Sequence, residues 1–262
     1  MVRVPHLLNG KTMNLQGMRY KEMCETKQNS YGTIGIIAAM QMEAEGLIRE
    51  MKNAVSETVS GMTFTSGLLM DRPVVVAVSG EGKVNAAVCA EAIILRYGVG
   101  FLLNSGVAGN LSDTLSVGDV AIAADTVEHD YDISPLGYAP GMVLGIDMIH
   151  VPCDPDAVQL IDDILAEMQV GHLVGTVATG DRFIGKKEDK ERIKSLFRAV
   201  ACEMEGGAIG HVAAMNHLPF AVIRAISDNA DGSAPENFGA FASAAAERSV
   251  AVTKALLLRL PQ

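Results

Sequence analysis

Three apolar runs in this chain each end on a carboxylate. Glu43 follows TIGIIAAMQM, Glu205 closes AVACEME, and Asp228 follows FAVIRAIS. An unpaired carboxylate among apolar side chains costs several kcal/mol or neutralises itself through a raised pKa, so buried strands rarely finish this way without a reason. Three such endings, far apart in the chain, point to one acidic pocket at a sheet edge, suited to proton transfer. Simpler roles exist for each acid alone. Glu203 and Glu205 flank Met204 ahead of AIGHVAAM, where the first turn of a helix favours negative charge. Asp228 fits an N-cap, and Glu43 fits a solvated acid of a first helical turn. The coincidence of all three is what favours a site.

Two glycine-containing segments lie near the same strand ends. NSGVAGN, residues 104 to 110, places small residues straight after a strand, which allows close backbone approach to a ligand and exposes amide N–H groups; a plain turn is the simpler alternative. TGDRFIG, residues 179 to 185, leaves Phe183 just beyond a strand, where its ring can cover a planar heterocycle or fill core. Other motifs fail. SGEGKVNA lacks the leading Gly of a P-loop and has Val84 where Ser or Thr belongs. No GxGxxG, GxSxG or HExxH is present. His150, Cys153 and Asp154 are close in sequence but lack the spacing of a metal site.

The elements that must position these residues alternate. TIGIIAAM reads as a buried strand, MEAEGLIREM as a short helix, and MTFTSGLL with PVVVAVSG as an antiparallel pair around Asp71-Arg72-Pro73. KVNAAVCAEAIILRYG is a helix stopped by Gly98. FLLNSGVAG, VGDVAIAADTV, HLVGTVATGD and PFAVIRAISD supply further strands, and a last helix covers roughly Phe238 to Leu260. This pattern predicts a three-layer α/β/α sandwich with a central mixed, mostly parallel twisted sheet, with ligands outside the carboxyl ends of its strands. Residues 1 to 32 are polar and weakly patterned, and are expected to form a flexible extension ahead of one domain spanning 33 to 262.

Composition narrows the partners. A net charge of -10 and a pI of about 5.0 argue against nucleic acid or an anionic membrane surface. No apolar run approaches the roughly 20 residues of a membrane span. Cys24, Cys89, Cys153 and Cys202 show no CxxC spacing, and the first 32 residues contain no apolar h-region, so a reduced, cytoplasmic setting is expected.

Taken together, IGIIAAMQMEAE, NSGVAGNLSDTLSVGDV, ATGDRFIG, CEMEGGAIGHVA and VIRAISDNAD resemble the bacterial 5'-methylthioadenosine/S-adenosylhomocysteine nucleosidases, of the nucleoside phosphorylase-I superfamily. The resemblance runs from about Thr33 to about Leu260. It implies that Asp228 protonates adenine at N7, Glu43 activates the attacking water, and Glu205 holds the ribose hydroxyls beside the Met204 backbone, with Glu203 and Met40 also binding substrate. Phe183 matches the ring stacked on adenine and Ile184 the residue whose backbone reads the base edge. Ala108 and Gly109 fall in the matching glycine loop, and Ser227 and Arg224 support the Asp228 segment. Phe238, Leu136 and Leu144 match the lining of the 5'-substituent pocket, the last two contributed by the partner of a homodimer. No cofactor or metal is implied. The chemistry is coherent, because N-glycosidic cleavage passes through an oxocarbenium-like sugar and needs a protonated leaving group.

The nearest rival on the same fold is a purine nucleoside phosphorylase, whose phosphate nucleophile needs cationic ligands. AAMQMEAE and LLNSGVAG contain no Arg or Lys, and Glu43 would repel phosphate. Further alternatives are a nucleosidase for aminofutalosine, 5'-deoxyadenosine or another 5'-modified adenosine, and a non-catalytic nucleoside-binding protein. Glu81, Val107 and Arg182 depart from the common pattern of the resemblance, Glu81 on the 5' side.

Overall fold

The first apolar run forms an interior strand. In the computed structural model, which describes residues 31–261, β1 (Ile34–Ala38) is buried along its whole length. A strand covered on both faces calls for a continuous rather than alternating apolar pattern, which IGIIA provides. There follow α1 (Gln41–Ile48), the strands β2 (Lys52–Val59), β3 (Met62–Leu69) and β4 (Arg72–Val78), and α2 (Lys83–Tyr97). Next come β5 (Phe101–Asn110), β6 (Val120–Glu128), the short β7 (Val151–Pro152) and α3 (Pro155–Glu167). The chain ends with β8 (His172–Thr179), α4 (Lys187–Phe197), β9 (Ala199–Glu203), α5 (Gly206–Met215), β10 (Phe220–Asp228) and α6 (Ala234–Arg259).

The sheet runs β10-β6-β8-β9-β5-β1-β4-β3-β2, with β7 on β6. Strand β10 also pairs with β5, so β5, β10, β6, β8 and β9 close into a ring. Parallel pairings join β4, β1, β5 and β10 in sequence, and β6, β8 and β9. Antiparallel pairings supply the β2–β3–β4 meander and the joins that close the ring. One apolar core, with Ile37, Ile93, Ile209 and Phe220, lies under α2 and α5; a second, with Leu47, Ile161, Leu165 and Leu256, lies under α1, α3 and α6. These are the expected three layers.

Several local readings agree with the structure. Helix α2 stops at Gly98, which adopts a left-handed φ of 58° and donates its N–H to the Ile94 carbonyl. The β3–β4 hairpin turns at Met70 and Asp71. FLLNSGVAG forms a strand as expected, and segment 104–110, rather than following that strand as a loop, is its buried second half. Asp154 caps α3 by accepting from Ala157 N at 2.8 Å, and His150 Nδ1 lies 2.8 Å from Asp125 Oδ1. Among the described residues no group of three metal-ligating side chains occurs, and no helix is long and apolar enough to cross a membrane. The expected extension lies outside the described residues except for Tyr31 and Gly32. Tyr31 is buried against Phe101, with ring centroids 4.7 Å apart.

Candidate active site

The parallel arrangement brings several strand ends to one cavity of about 200 Å³. Its wall includes Met40 and Glu43 after β1, Glu81 after β4, Val107, Ala108 and Gly109 of β5, and Arg182, Phe183 and Ile184 after β8. The remaining wall is Cys202, Glu203, Met204 and Glu205 around the end of β9, Ser227 and Asp228 of β10, and Phe238 of α6. Glu43, Glu203, Glu205 and Asp228 are all buried. Four acids in one pocket repel one another unless donors or protons intervene, so their partners decide the chemistry.

Glu43 sits in the first turn of α1 and turns back over the strand end. Its Oε2 accepts from Ala39 N at 2.9 Å and Met40 N at 2.8 Å, and its Oε1 from Val107 N at 3.0 Å. Burial still raises its pKa; Arg224 and these amides oppose the rise. An ionised carboxylate held this way, with an elevated pKa, is a stronger proton acceptor than a solvated one. A Cβ on Gly106 would lie 2.6 Å from Glu43 Oε1 and would overlap Arg224 Nη1, so any side chain here must displace both groups.

Asp228 ends β10. Ser227 Oγ donates to its Oδ2 at 2.9 Å and Ala230 N to its Oδ1 at 2.8 Å. Burial raises its pKa against these donors. That favours a protonated carboxyl, the form able to give up a proton. A Cβ on Gly109 would come within 3.0 Å of Asp228 Oδ1, so the small residue leaves room for the acid.

Glu203 ends β9 and is fully engaged. It pairs with Arg224, accepts from Thr179 Oγ1, and takes the Glu205 and Gly206 amides at 3.0 and 2.7 Å on Oε2. Glu205, the N-cap of α5, accepts from Gly82 N at 2.9 Å and lies 3.4 Å from Arg224 Nη2. Burial pushes its pKa up to about 7; Arg224 opposes this and Glu203 and Glu43 reinforce it.

Arg224 corrects one expectation. It does not support Asp228; it lies fully buried behind the pocket, donating to Asn104 Oδ1 and Glu203 Oε2. Burial disfavours its charge, but Glu203, Glu205 and Glu43 hold the guanidinium pKa above its usual value. Ser227 Oγ, the donor to Asp228 Oδ2, also lies 3.3 Å from the Ala108 carbonyl. Phe183 is half exposed at the pocket mouth and meets Phe238 edge to face, with centroids 5.8 Å apart. Leu136 and Leu144 are exposed and lie outside this chain's cavity.

Sequence reasoning missed Thr179, Asn104, Gly106 and the Gly82 amide. Each lies within a segment the sequence singles out, Asn104 and Gly106 in NSGVAGN, Thr179 in TGDRFIG and Gly82 in SGEGK, but nothing in the sequence marks these residues individually. The cation count is low. Arg182 is the one Lys or Arg in the wall, and its Nη2 is paired with Asp189 Oδ2 at 2.8 Å. Glu81 is exposed at the rim, and no side-chain partner for it occurs among the described residues.

Comparison with known proteins agrees with this geometry. The phosphorylase superfamily profile matches residues 33–258. A 5'-methylthioadenosine/S-adenosylhomocysteine nucleosidase of Staphylococcus aureus is 36% identical over 228 residues, covering 87% of this chain and 100% of that protein. The crystal structure of the Neisseria meningitidis nucleosidase of the same name, in complex with methylthio-immucillin-A, is 33% identical with a TM-score of 0.85, covering 87% of this chain and 99% of that one. A futalosine hydrolase structure from Helicobacter pylori is 32% identical with a TM-score of 0.84, covering 88% and 99%. With identity above 30% over the full length of a curated relative, this chain belongs to the 5'-methylthioadenosine/S-adenosylhomocysteine nucleosidase family of the phosphorylase superfamily.

Proposed function

We propose that this protein hydrolyses the N-glycosidic bond of 5'-methylthioadenosine and S-adenosylhomocysteine, releasing adenine with 5-methylthioribose or S-ribosylhomocysteine. The observation that carries this reading is the pair Glu43 and Asp228: two carboxyls in one cavity, one held by three backbone amides and the other by one amide and a hydroxyl. Asp228 delivers a proton to adenine N7, so the base departs neutral. Glu43 takes a proton from water as that water attacks the anomeric carbon. The ribose hydroxyls bind the Glu205 carboxylate beside the Met204 backbone. Phe183 stacks on the base and the Ile184 backbone reads its edge. Excess negative charge around the sugar favours the oxocarbenium-like transition state over the neutral substrate.

A phosphate nucleophile fits poorly. Arg224 is committed to Asn104 and Glu203, Arg182 to Asp189, and Glu43 faces the position an anion would need. The exposed apolar residues Leu136, Tyr138 and Leu144 suit a homodimer in which a partner's leucines close the 5' pocket. A cytoplasmic location suits these substrates.

The test is adenine release in phosphate-free buffer: turnover on both substrates is expected, and an absolute requirement for phosphate would move the protein to the phosphorylases. One observation favours a second reading, a nucleosidase for another 5'-modified adenosine. Glu81 and Arg182 put charge on a pocket wall that is otherwise apolar at its mouth. A panel of 5'-substituted adenosines, ranked by kcat/KM, separates the two.

A further inference from the structure

Lys83 has no part in the chemistry above, yet it ties together the segments beyond β4, β6 and β8, the first and last of which reach the pocket wall at Glu81 and at Arg182 and Phe183. Its Nζ donates to Glu128 Oε2 at 3.0 Å and Asp130 Oδ1 at 2.6 Å, at and just beyond the end of β6. Its own backbone N–H donates to Asp181 Oδ1 at 2.7 Å, two residues before Phe183. Asp181 N in turn donates to Asp130 Oδ2 at 2.8 Å, closing a cycle. The preceding residue, Gly82, gives its N–H to Glu205 Oε1 at 2.9 Å. The side chains of Lys83 and Glu128 are 17% and 10% exposed, so solvent screens this pair weakly. Burial disfavours the ammonium, but Asp130 and Glu128 hold its pKa above the usual lysine value.

Gly82 adopts a φ of +95°, and a Cβ there would come within 3.0 Å of Asp181 Oδ1. The turn is therefore shaped to present one amide to Glu205 while the next residue anchors it. We propose that Lys83 is a positioning residue for nucleoside hydrolysis. By clamping the Gly82–Lys83 turn between β6 and the Asp181–Phe183 segment, it fixes the amide that orients the Glu205 carboxylate toward the ribose hydroxyls. This rests on the reading of Glu205 as the group that binds those hydroxyls. Without the ammonium, Glu128, Asp130 and Asp181 face one another as like charges, and the turn moves away from Glu205. His211 Nδ1, 3.0 Å from Glu128 Oε1, reaches only one of them.

A fixed-geometry effect of this kind is read with paired substrates. Lys83→Met should lower kcat/KM for 5'-methylthioadenosine by about 10²-fold, the scale of a misplacement of about 1 Å. For its 3'-deoxy analogue, which has lost one hydroxyl contact, the same substitution should cost less than about fivefold, because the misplaced group no longer meets its target. Lys83→Arg, which keeps the charge and reach, should restore activity to within about threefold of wild type. Equal losses on the two substrates, or no loss, overturn the assignment. If the wild-type enzyme itself treats the two substrates alike, the reading of Glu205 falls, and this proposal with it; discrimination by wild type but not lost in the variant indicts Lys83 alone. Should Lys83→Met fail to fold, Asp130→Asn carries the test. It removes one anchor and keeps the Glu128 pair, and the same substrate-selective loss, about tenfold, is expected.

Discussion

Replacing Glu205 with Gln should flatten part of the pH dependence of folding stability. Burial raises the Glu205 carboxyl to about 7 from an ordinary value of 4.5, Arg224 and the Gly82 amide failing to offset it. The folded protein therefore holds this proton more tightly than the unfolded chain. Where the native state binds more protons than the unfolded state, stability falls as pH rises. The window opens near 4.5 and closes near 7, and the protonated form's advantage is fully present below it and gone above it. A gap from 4.5 to about 7 is a factor of about 300 in proton affinity, or about 3 kcal/mol, most of it expressed between pH 5 and 8. Glu205 is 4% exposed, so little of this is lost to solvent screening.

Gln has no proton to lose across that range, and its amide oxygen can still accept from Gly82 N. The raised pKa values of Glu43 and Asp228 remain in both proteins and largely cancel in the comparison. Urea denaturation of wild type and Glu205→Gln at pH 5 and pH 8 reads the effect. The variant should gain about 2–3 kcal/mol on wild type between the two pH values, whichever is more stable at pH 5. A difference between the two proteins that stays constant with pH would refute the reasoning, since it would mean that Glu205 is ionised at both.

Other outcomes follow from the same geometry. Asp228→Asn should lower kcat for adenine release by about 10³-fold while the protein still binds adenine in calorimetry, since general-acid contributions span about 10² to 10⁴; near wild-type turnover rejects the assigned acid. The pH profile of kcat/KM should be bell-shaped, with an alkaline limb as Asp228 loses its proton and an acid limb as Glu43 gains one, both displaced above the ordinary carboxylate range. Glu43→Gln should remove the Glu43 share of the acid limb and leave the part set by Glu205, near 7; a limb unchanged from wild type in the residual activity would take the base role away from Glu43. Gly106→Ala should lower the melting temperature, because the added methyl overlaps Arg224 and Glu43, an overpacking cost of about 1–3 kcal/mol; an unchanged melting curve contradicts the predicted clash.

The three buried carboxylates of the cavity, Glu43, Glu205 and Asp228, are legible in the sequence because the cost of burying an acid is local: an apolar run ending on Glu or Asp is anomalous wherever it occurs. Strand β1 and helix α2 were legible for a related reason, each carrying a continuous apolar run or a glycine stop. Strand β2 was not, because KNAVSETV is exposed along most of its length and has no buried face to write an alternating pattern. The family resemblance puts Arg224 in support of the Asp228 segment. A strand's period of two would indeed set both on one face, but the pairing of β10 with β5 slips between Ile226 and Asp228, and the rule fails across that irregularity.

What sequence could not supply was the set of donors that gives each acid its protonation state. Two of the amides on Glu43 are local, from Ala39 and Met40, and follow from a helix that begins at a strand end. The third, from Val107, arrives from 64 residues away, and the Gly82 amide on Glu205 from 123. Remove the distant donors and Glu43 becomes a buried acid held only by its own turn, with less to oppose the desolvation that favours its protonated form. A base and an acid can therefore be built from the same residue type in one cavity. The distant Val107 amide reaches Glu43 from β5, while the donors on Asp228, Ser227 and Ala230, are its own chain neighbours, so the two carboxyls differ in how many amides hold them and in where those come from.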